Sequence, residues 1–223
     1  MKNFKIISIV LSVLFFSACA TTSTIIKRSD LYEHLEEYLP ENLDSNKEDN
    51  LISAFKHLRI SHDDIEGITW INPKPYFYMN QIHIYFGLKK GLTSPWLRLN
   101  IRYVGISWLF INEYIIKTDQ HTYRIKPKSF EVERKVRSDY PVPKGSSWVY
   151  VEEIYDCLAE SHIEMIDDII TSKNVKMRYS GESYRDWIVS YKEKKRLADV
   201  LAAYKILRNI YDNKEYSLNY PSK

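Results

Sequence analysis

Between residues 65 and 151 apolar side chains recur at every second position. Leu97, Leu99, Ile101 and Tyr103 alternate with Trp96, Arg98, Asn100 and Arg102, and Ile82, Ile84, Phe86 and Leu88 alternate with Gln81, His83, Tyr85 and Gly87. Phe130, Val132, Arg134 and Val136 continue the habit less cleanly. Successive strand side chains point to opposite faces, so the spacing predicts strands with one buried side. Thr118-Asp119-Gln120-His121 separates two such runs, residues 114–117 and 122–125, and predicts a hairpin. Six or seven strands joined by short turns, with no helix between them, predict an antiparallel β-sheet or sandwich-like body.

The flanks carry helical spacing instead. Ser29 is placed to cap a helix bearing Leu31, Leu35, Tyr38 and Leu39, which Pro40 would stop. A second helix is predicted over residues 47–58, with Leu51, Ile52, Phe55 and Leu58 on one face. After residue 151, Ile154, Leu158, Met165, Ile166, Ile169 and Ile170 fit one helical stripe, with His162 beside it. Val175, Met177 and Tyr179 then alternate with Lys176 and Arg178, a strand that Gly181 ends. Ser183 with Asp186 resembles a capping box. It would open a last helix over residues 184–211 that buries Trp187, Ile188, Tyr191, Ala198, Leu201, Tyr204 and Leu207. The fold class is therefore α+β: N-terminal helices, a β body over about residues 65–151, and a C-terminal helix-strand-helix over about 152–212. All of it reads as one domain spanning 29–223.

The first eighteen residues follow another logic. Lys2 and Lys5 precede an apolar run, residues 6–16, interrupted only by Ser8 and Ser12, and Phe16-Ser17-Ala18-Cys19 follows. A charged start, a short apolar segment and small residues at a cut form the secretory pattern. The run falls short of the roughly 20 residues that cross a bilayer. Its last four residues resemble the lipobox of bacterial lipoproteins, with Phe16 where that family more often has Leu, Val or Ile. The resemblance implies removal of residues 1–18 and acylation (palmitate) of Cys19 as the new N-terminus. It also implies a polar tether over 19–28 and stable anchoring through more than one acyl chain. Ala20, rather than Asp, after the cysteine resembles the outer-membrane sorting class of a Gram-negative host. The other reading is a plain secretory signal with an unrelated cysteine. Cys157 is then the sole remaining thiol, so no intramolecular disulfide is possible, and beside Ile154 and Leu158 it reads as a small packed hydrophobe.

Composition changes the picture in one respect. The chain is 44% hydrophobic and 27% charged, as expected for a domain with a core, and its formal charge is only +3. Loss of Lys2 and Lys5 leaves the mature part near +1. That excludes the concentrated basic face of a nucleic-acid binder.

Several segments are similar to a group of uncharacterised exported bacterial proteins. They are residues 64–70 (Asp-Ile-Glu-Gly-Ile-Thr-Trp), 96–99, 108–111 and 175–181, spread over roughly residues 62–210. The hairpin departs from that group, with Asp119-Gln120 in place of Asp-Gly. No activity is attached to the group, so the resemblance implies an exported domain and carries no catalytic residue.

Candidate chemistry is scattered. Ser53 and Lys56 have the Ser-x-x-Lys spacing of penicillin-binding proteins and serine β-lactamases, in which one helical turn brings the amine beside the hydroxyl. The companion Ser-Asp-Asn and Lys-Thr-Gly are missing, Lys117-Thr118-Asp119 being the nearest, which favours a solvated helix face. His62, Asp63, Asp64 and Glu66 form an acidic cluster with one imidazole, but neighbours in sequence rarely converge on one ion. A turn entering a strand is the better reading. His83 is expected to be exposed, opposite Ile82 and Ile84, and His162 is read as a core histidine. Neither has a recognisable serine or cysteine partner for a triad. Lys144-Gly145-Ser146-Ser147 lacks the upstream glycine of a phosphate loop. Lys192, Lys194, Lys195 and Arg196 make the last helix locally basic, either a contact for anionic envelope polymers or lipid head groups or a solvated face. Trp96 lies out of phase with the core, and Trp70, Tyr76 and Tyr78 are placed to join it. Aromatics on a rigid sheet serve binding modules, and packing under flanking helices gives the same pattern.

No catalytic, metal or cofactor site is assembled in the sequence. It points to a membrane-anchored, non-enzymatic lipoprotein of the envelope whose β body binds an envelope protein or glycan. An envelope hydrolase whose site only the fold brings together, and a structural or assembly lipoprotein, stand as the alternatives.

Overall fold

The computed structural model describes Leu35, Tyr38, Leu39 and residues 45–74, 80–90, 94–137 and 150–219. The signal segment, Cys19, the tether, Tyr76, Tyr78 and residues 144–148 lie outside the described residues. Of the expected first helix, Leu35, Tyr38 and Leu39 are described. All three are buried, and the Leu39 amide donates to the Leu35 carbonyl.

Among the described residues, helix α1 (Ser45–Phe55) leads into ten strands: β1 (Leu58–Asp63), β2 (Ile68–Pro73), β3 (Gln81–Lys89), β4 (Trp96–Gly105), β5 (Glu113–Lys117), β6 (Thr122–Ile125), β7 (Val132–Arg137), β8 (Tyr150–Leu158), β9 (Lys176–Ser180) and β10 (Tyr184–Ile188). Helix α2 (Ile163–Thr171) stands between β8 and β9, and α3 (Tyr191–Asn219) follows β10. The strands form two antiparallel sheets, one ordered β1-β2-β3-β4-β8-β7 and the other β10-β9-β5-β6. The α+β class and sandwich-like body expected from the periodicity are what the chain adopts.

The inner face of the larger sheet carries Ile71, Ile82, Ile84, Phe86, Leu97, Leu99 and Ile101, each no more than 1% exposed. Helix α3 covers its β2–β3 half, with Tyr204 5.8 Å from Phe86, and α1 brings Phe55 edge-on to the same ring. The second sheet covers the β4–β8 part. Tyr103 meets Tyr179, Tyr155 stacks on Tyr114, and the Tyr179 hydroxyl donates to the Arg102 carbonyl at 2.9 Å. Each of these rings removes more apolar area from water than an aliphatic neighbour does, and its burial contributes accordingly.

Three expected elements are corrected. Residues 150–158 were expected to turn helical after Val151, yet they form β8, paired with β4 from Val151 to Leu158. Ile154 and Leu158 are spaced like a helical stripe, but Ile154 is buried and Leu158 is exposed. Glu152 and Glu153 hid the strand, because both adjacent carboxylates are fully buried and neutralised by arginines of neighbouring strands. Leu58, assigned to a helix by its spacing from Leu51 and Phe55, opens β1 opposite Pro73, so the β body begins before residue 65. The Ser183/Asp186 box does not cap a helix, since Asp186 sits in β10 opposite Arg178 and salt-bridges it. The cap lies at Ser190, whose hydroxyl accepts from the Glu193 amide while Glu193 accepts from the Ser190 amide. Helix α3 therefore starts at Tyr191, and Ile188 and Tyr191, expected inside, are 73% and 77% exposed. The C-terminal unit is thus helix, hairpin, helix.

The 118–121 hairpin is confirmed. Lys117 pairs with Thr122, and Thr118 accepts and donates across the turn to His121.

Candidate binding face

Strand alternation puts Gln81, His83, Tyr85 and Gly87 of β3 on the outer face of the larger sheet. Registered beside them are Arg102, Asn100, Arg98 and Trp96 of β4, Trp70 of β2, and Glu152 and Asp156 of β8. Trp70 and Trp96 both stand opposite Gly87. The glycine is required there: the six-membered ring of Trp96 occupies the space a Cβ would take, so the indole lies across the β3 backbone. Trp70 meets it edge-on, with centroids 5.6 Å apart and planes at 79°, and Tyr85 adjoins Trp70 at 5.5 Å. All three rings are partly exposed.

Next to the aromatics, Asp156 organises a polar cluster. Its Oδ1 accepts from Arg98 Nε at 2.6 Å and from Nη2 at 2.5 Å, and its Oδ2 accepts from the Tyr85 hydroxyl at 2.7 Å and Asn100 Nδ2 at 2.9 Å. Burial first, and the hydrogen bond to Asp156 second, raise the Tyr85 phenol well above its ordinary pKa. Asp156 has its acceptor capacity filled, which leaves little for a general base.

Deeper along the face the expectation for His83 is corrected. It does lie opposite Ile82 and Ile84, but it is 6% exposed, because both faces of β3 are covered at this level. Burial, with Arg102 nearby, pushes its pKa down to about 3, so the ring is neutral in physiological solution. The unfolded chain takes up this proton near pH 6.5 and the folded protein only near pH 3, so stability falls as pH drops through that window. Carboxylates held low by partners, such as Asp186, weaken the fold only at the acid end of it. Between pH 6.5 and 5, His83 is expected to cost the wild type about 2 kcal/mol of stability. His83→Gln should flatten urea-unfolding stability over that interval, and an unchanged slope would contradict the assignment.

Other sequence candidates fall apart on the surface. Ser53 and Lys56 are both exposed and share only a backbone contact. Asp63 Oδ1 accepts from the Ile65 and Glu66 amides, and Gly67 takes φ +63°, so the acidic cluster is the β1–β2 turn. His62 Nδ1 pairs with Thr69 Oγ1 at 2.9 Å, and its Nε2 lies 3.6 Å from the exposed Asp64 carboxylate. His162 is half-buried at the start of α2, with its pKa lowered by burial. Cys157 packs against the core, and burial raises its thiol pKa, away from nucleophile character. Lys194 caps the carbonyls of Ser172 and Lys173, and Lys195 pairs with Asp199. The basic helix face is thus partly occupied by structural contacts.

Two clusters had no signal in the sequence. Asp168 Oδ2 gathers His121 Nδ1 and Thr118 Oγ1 at 2.8 Å and the Tyr123 hydroxyl at 3.0 Å, which holds its pKa low, chiefly through the His121 bond. No serine or cysteine contacts that histidine among the described residues, and the cluster ties the hairpin to α2. A cavity of about 350 Å³ beside it is rimmed by Lys117, Lys173 and Lys176. Asp119 there is committed to the Lys173 and Asn174 amides. Among the described residues no group of three or more His, Cys, Asp or Glu is arranged for a metal ion, and no helix is long and apolar enough to cross a membrane.

Comparison of the chain with known protein families, with curated proteins and with solved structures finds no match.

Proposed function

We propose that the chain is an envelope lipoprotein, acylated at Cys19, whose outer sheet face is a binding surface rather than a catalytic site. The observation that carries the reading is the grouping of Trp70, Tyr85 and Trp96 beside the Arg98–Asp156 pair on strands hydrogen-bonded on both sides. Rings fixed on a sheet lose little conformational entropy when a ligand covers them, and aromatic and arginine side chains carry much of the energy of binding surfaces. The same cluster is poorly suited to proton transfer. Asp156 is saturated with donors, and His83 is buried and neutral. The lipobox-like Phe16-Ser17-Ala18-Cys19 supplies the address, and a tether of about ten residues beyond it would hold the domain near the membrane.

Two measurements test the two halves. Cys19→Ser is expected to release the protein from the membrane fraction and abolish labelling by a radiolabelled fatty acid. Full membrane retention with unchanged labelling would remove the anchor. Trp70→Ala, which leaves the core untouched, is expected to lose partner recovery after in-cell chemical crosslinking. Recovery equal to wild type would remove the face.

A further inference from the structure

We propose that the ligand of this face is a neutral saccharide whose ring stacks on Trp96. The inference rests on the reading of the face as a binding surface and names its ligand class. Trp96 lies across Gly87 in the middle of the sheet, between β2 and β4, so no free strand edge is offered beside it to a peptide main chain. What is offered is an indole flanked edge-on by Trp70, a shape that suits the flat C–H face of a pyranose ring.

The polar groups point the same way. Arg98 and Asp156 cancel each other's charge, and His83 is neutral, so nothing at the platform calls for a charged ligand. Arg98 uses Nε and Nη2 on Asp156, and its Nη1 has no partner among the described residues, although the side chain is 28% exposed. Two residues along the same strand, buried Asn100 donates its Nδ2 to Asp156 and so holds the carboxylate that orients Arg98. The spare N–H of this partly exposed guanidinium is met by a ligand hydroxyl, which accepts it without carrying a charge. Stacking carbon on one side and hydroxyls on the other describe a sugar.

The full chain in detergent micelles, with its tryptophans labelled at the indole nitrogen, is titrated with chitotetraose, maltotetraose, xylotetraose and a proline-rich decapeptide while the indole N–H resonances are followed. A saturable shift of the Trp96 and Trp70 signals is expected with at least one of the oligosaccharides, and Trp96→Phe should weaken it by roughly tenfold, about 1.4 kcal/mol. Because the wild type is read directly, a variant that fails to fold does not decide the matter. Shifts confined to Trp108, Trp148 or Trp187, or produced by the decapeptide alone, overturn the saccharide. If no oligosaccharide shifts Trp96 while in-cell crosslinking still recovers a partner that depends on Trp70, the saccharide is wrong and the binding face stands. If both fail, both are overturned.

Discussion

Glu153→Ala is expected to destabilise the protein by about 4 kcal/mol, within the range for breaking a buried ion pair. The carboxylate is fully buried, and its two oxygens accept four bonds. Oε1 takes the amides of Leu109 and Phe110 at 2.7 and 3.0 Å, and Oε2 takes the amide of Ile111 at 2.8 Å and Arg134 Nε at 3.0 Å. Removing it strands three backbone donors and leaves Arg134 only its bond to the Ile111 carbonyl, and each unpaired buried group costs about 1–3 kcal/mol. The segment it holds is strained as well, for Phe110 sits at φ +51°, a region an aromatic side chain seldom adopts. Glu153→Gln keeps the shape and one acceptor and should cost about half as much. Thermal unfolding reads the difference, with a drop of about 10 °C expected for the alanine variant. A loss below about 1 kcal/mol would show that the 109–111 segment is held by something else.

The second large effect comes from the other side of the same segment. A Cβ on Gly181 would collide with the carbonyl oxygens of Leu109 and Phe110. Backbone oxygens cannot rotate aside as a side chain can, and these belong to residues whose amides Glu153 already fixes. The Glu182 amide also donates to the Leu109 carbonyl at 2.8 Å, so separating the two strips of chain breaks that bond. Gly181→Ala is expected to cost about 3 kcal/mol, the upper end of what overpacking usually costs. It should also be non-additive with Glu153→Ala, because either change frees the segment that the other one strains. Urea midpoints of the two single variants and the double variant measure both claims. A neutral Gly181→Ala would mean that the loop moves away at little cost.

These two residues also mark the limit of what the amino-acid pattern discloses. Strands β3 and β4 are legible because apolar side chains fill one face at every second position, and the β5–β6 hairpin because Thr118 to His121 breaks two β-rich runs. Strand β8 is not legible. Glu152 and Glu153 sit side by side and fully buried, Glu152 stabilised by Arg102 of β4 and Arg137 of β7 and Glu153 by Arg134 of β7, partners that arrive only once the sheet has formed. A local window sees two charges and, in Ile154 and Leu158, a helical interval. The same error hid Asp156, the organising residue of the binding face. A signal for it exists: Arg98 and Arg102 lie on one strand face and require counter-charges at the same spacing, and Glu152 and Asp156, four residues apart, provide them. Trp96 and Trp70 were legible as a pair out of phase with the core. That Gly87 leaves room for the Trp96 ring was not, because register decides it. His83 was misplaced for a related reason, since strand alternation names the face and not whether that face is covered.

The binding face is tested most directly by a photo-crosslinking amino acid at Asn72, which shares the strand face of Trp70 and leaves that ring in place, compared with one at Arg124 on the exposed part of the smaller sheet, in living cells of the native host. A discrete, saturable adduct is expected from position 72 that Trp70→Ala weakens, and none from position 124. Equal labelling from both positions, or an adduct at 124 alone, would contradict the binding face.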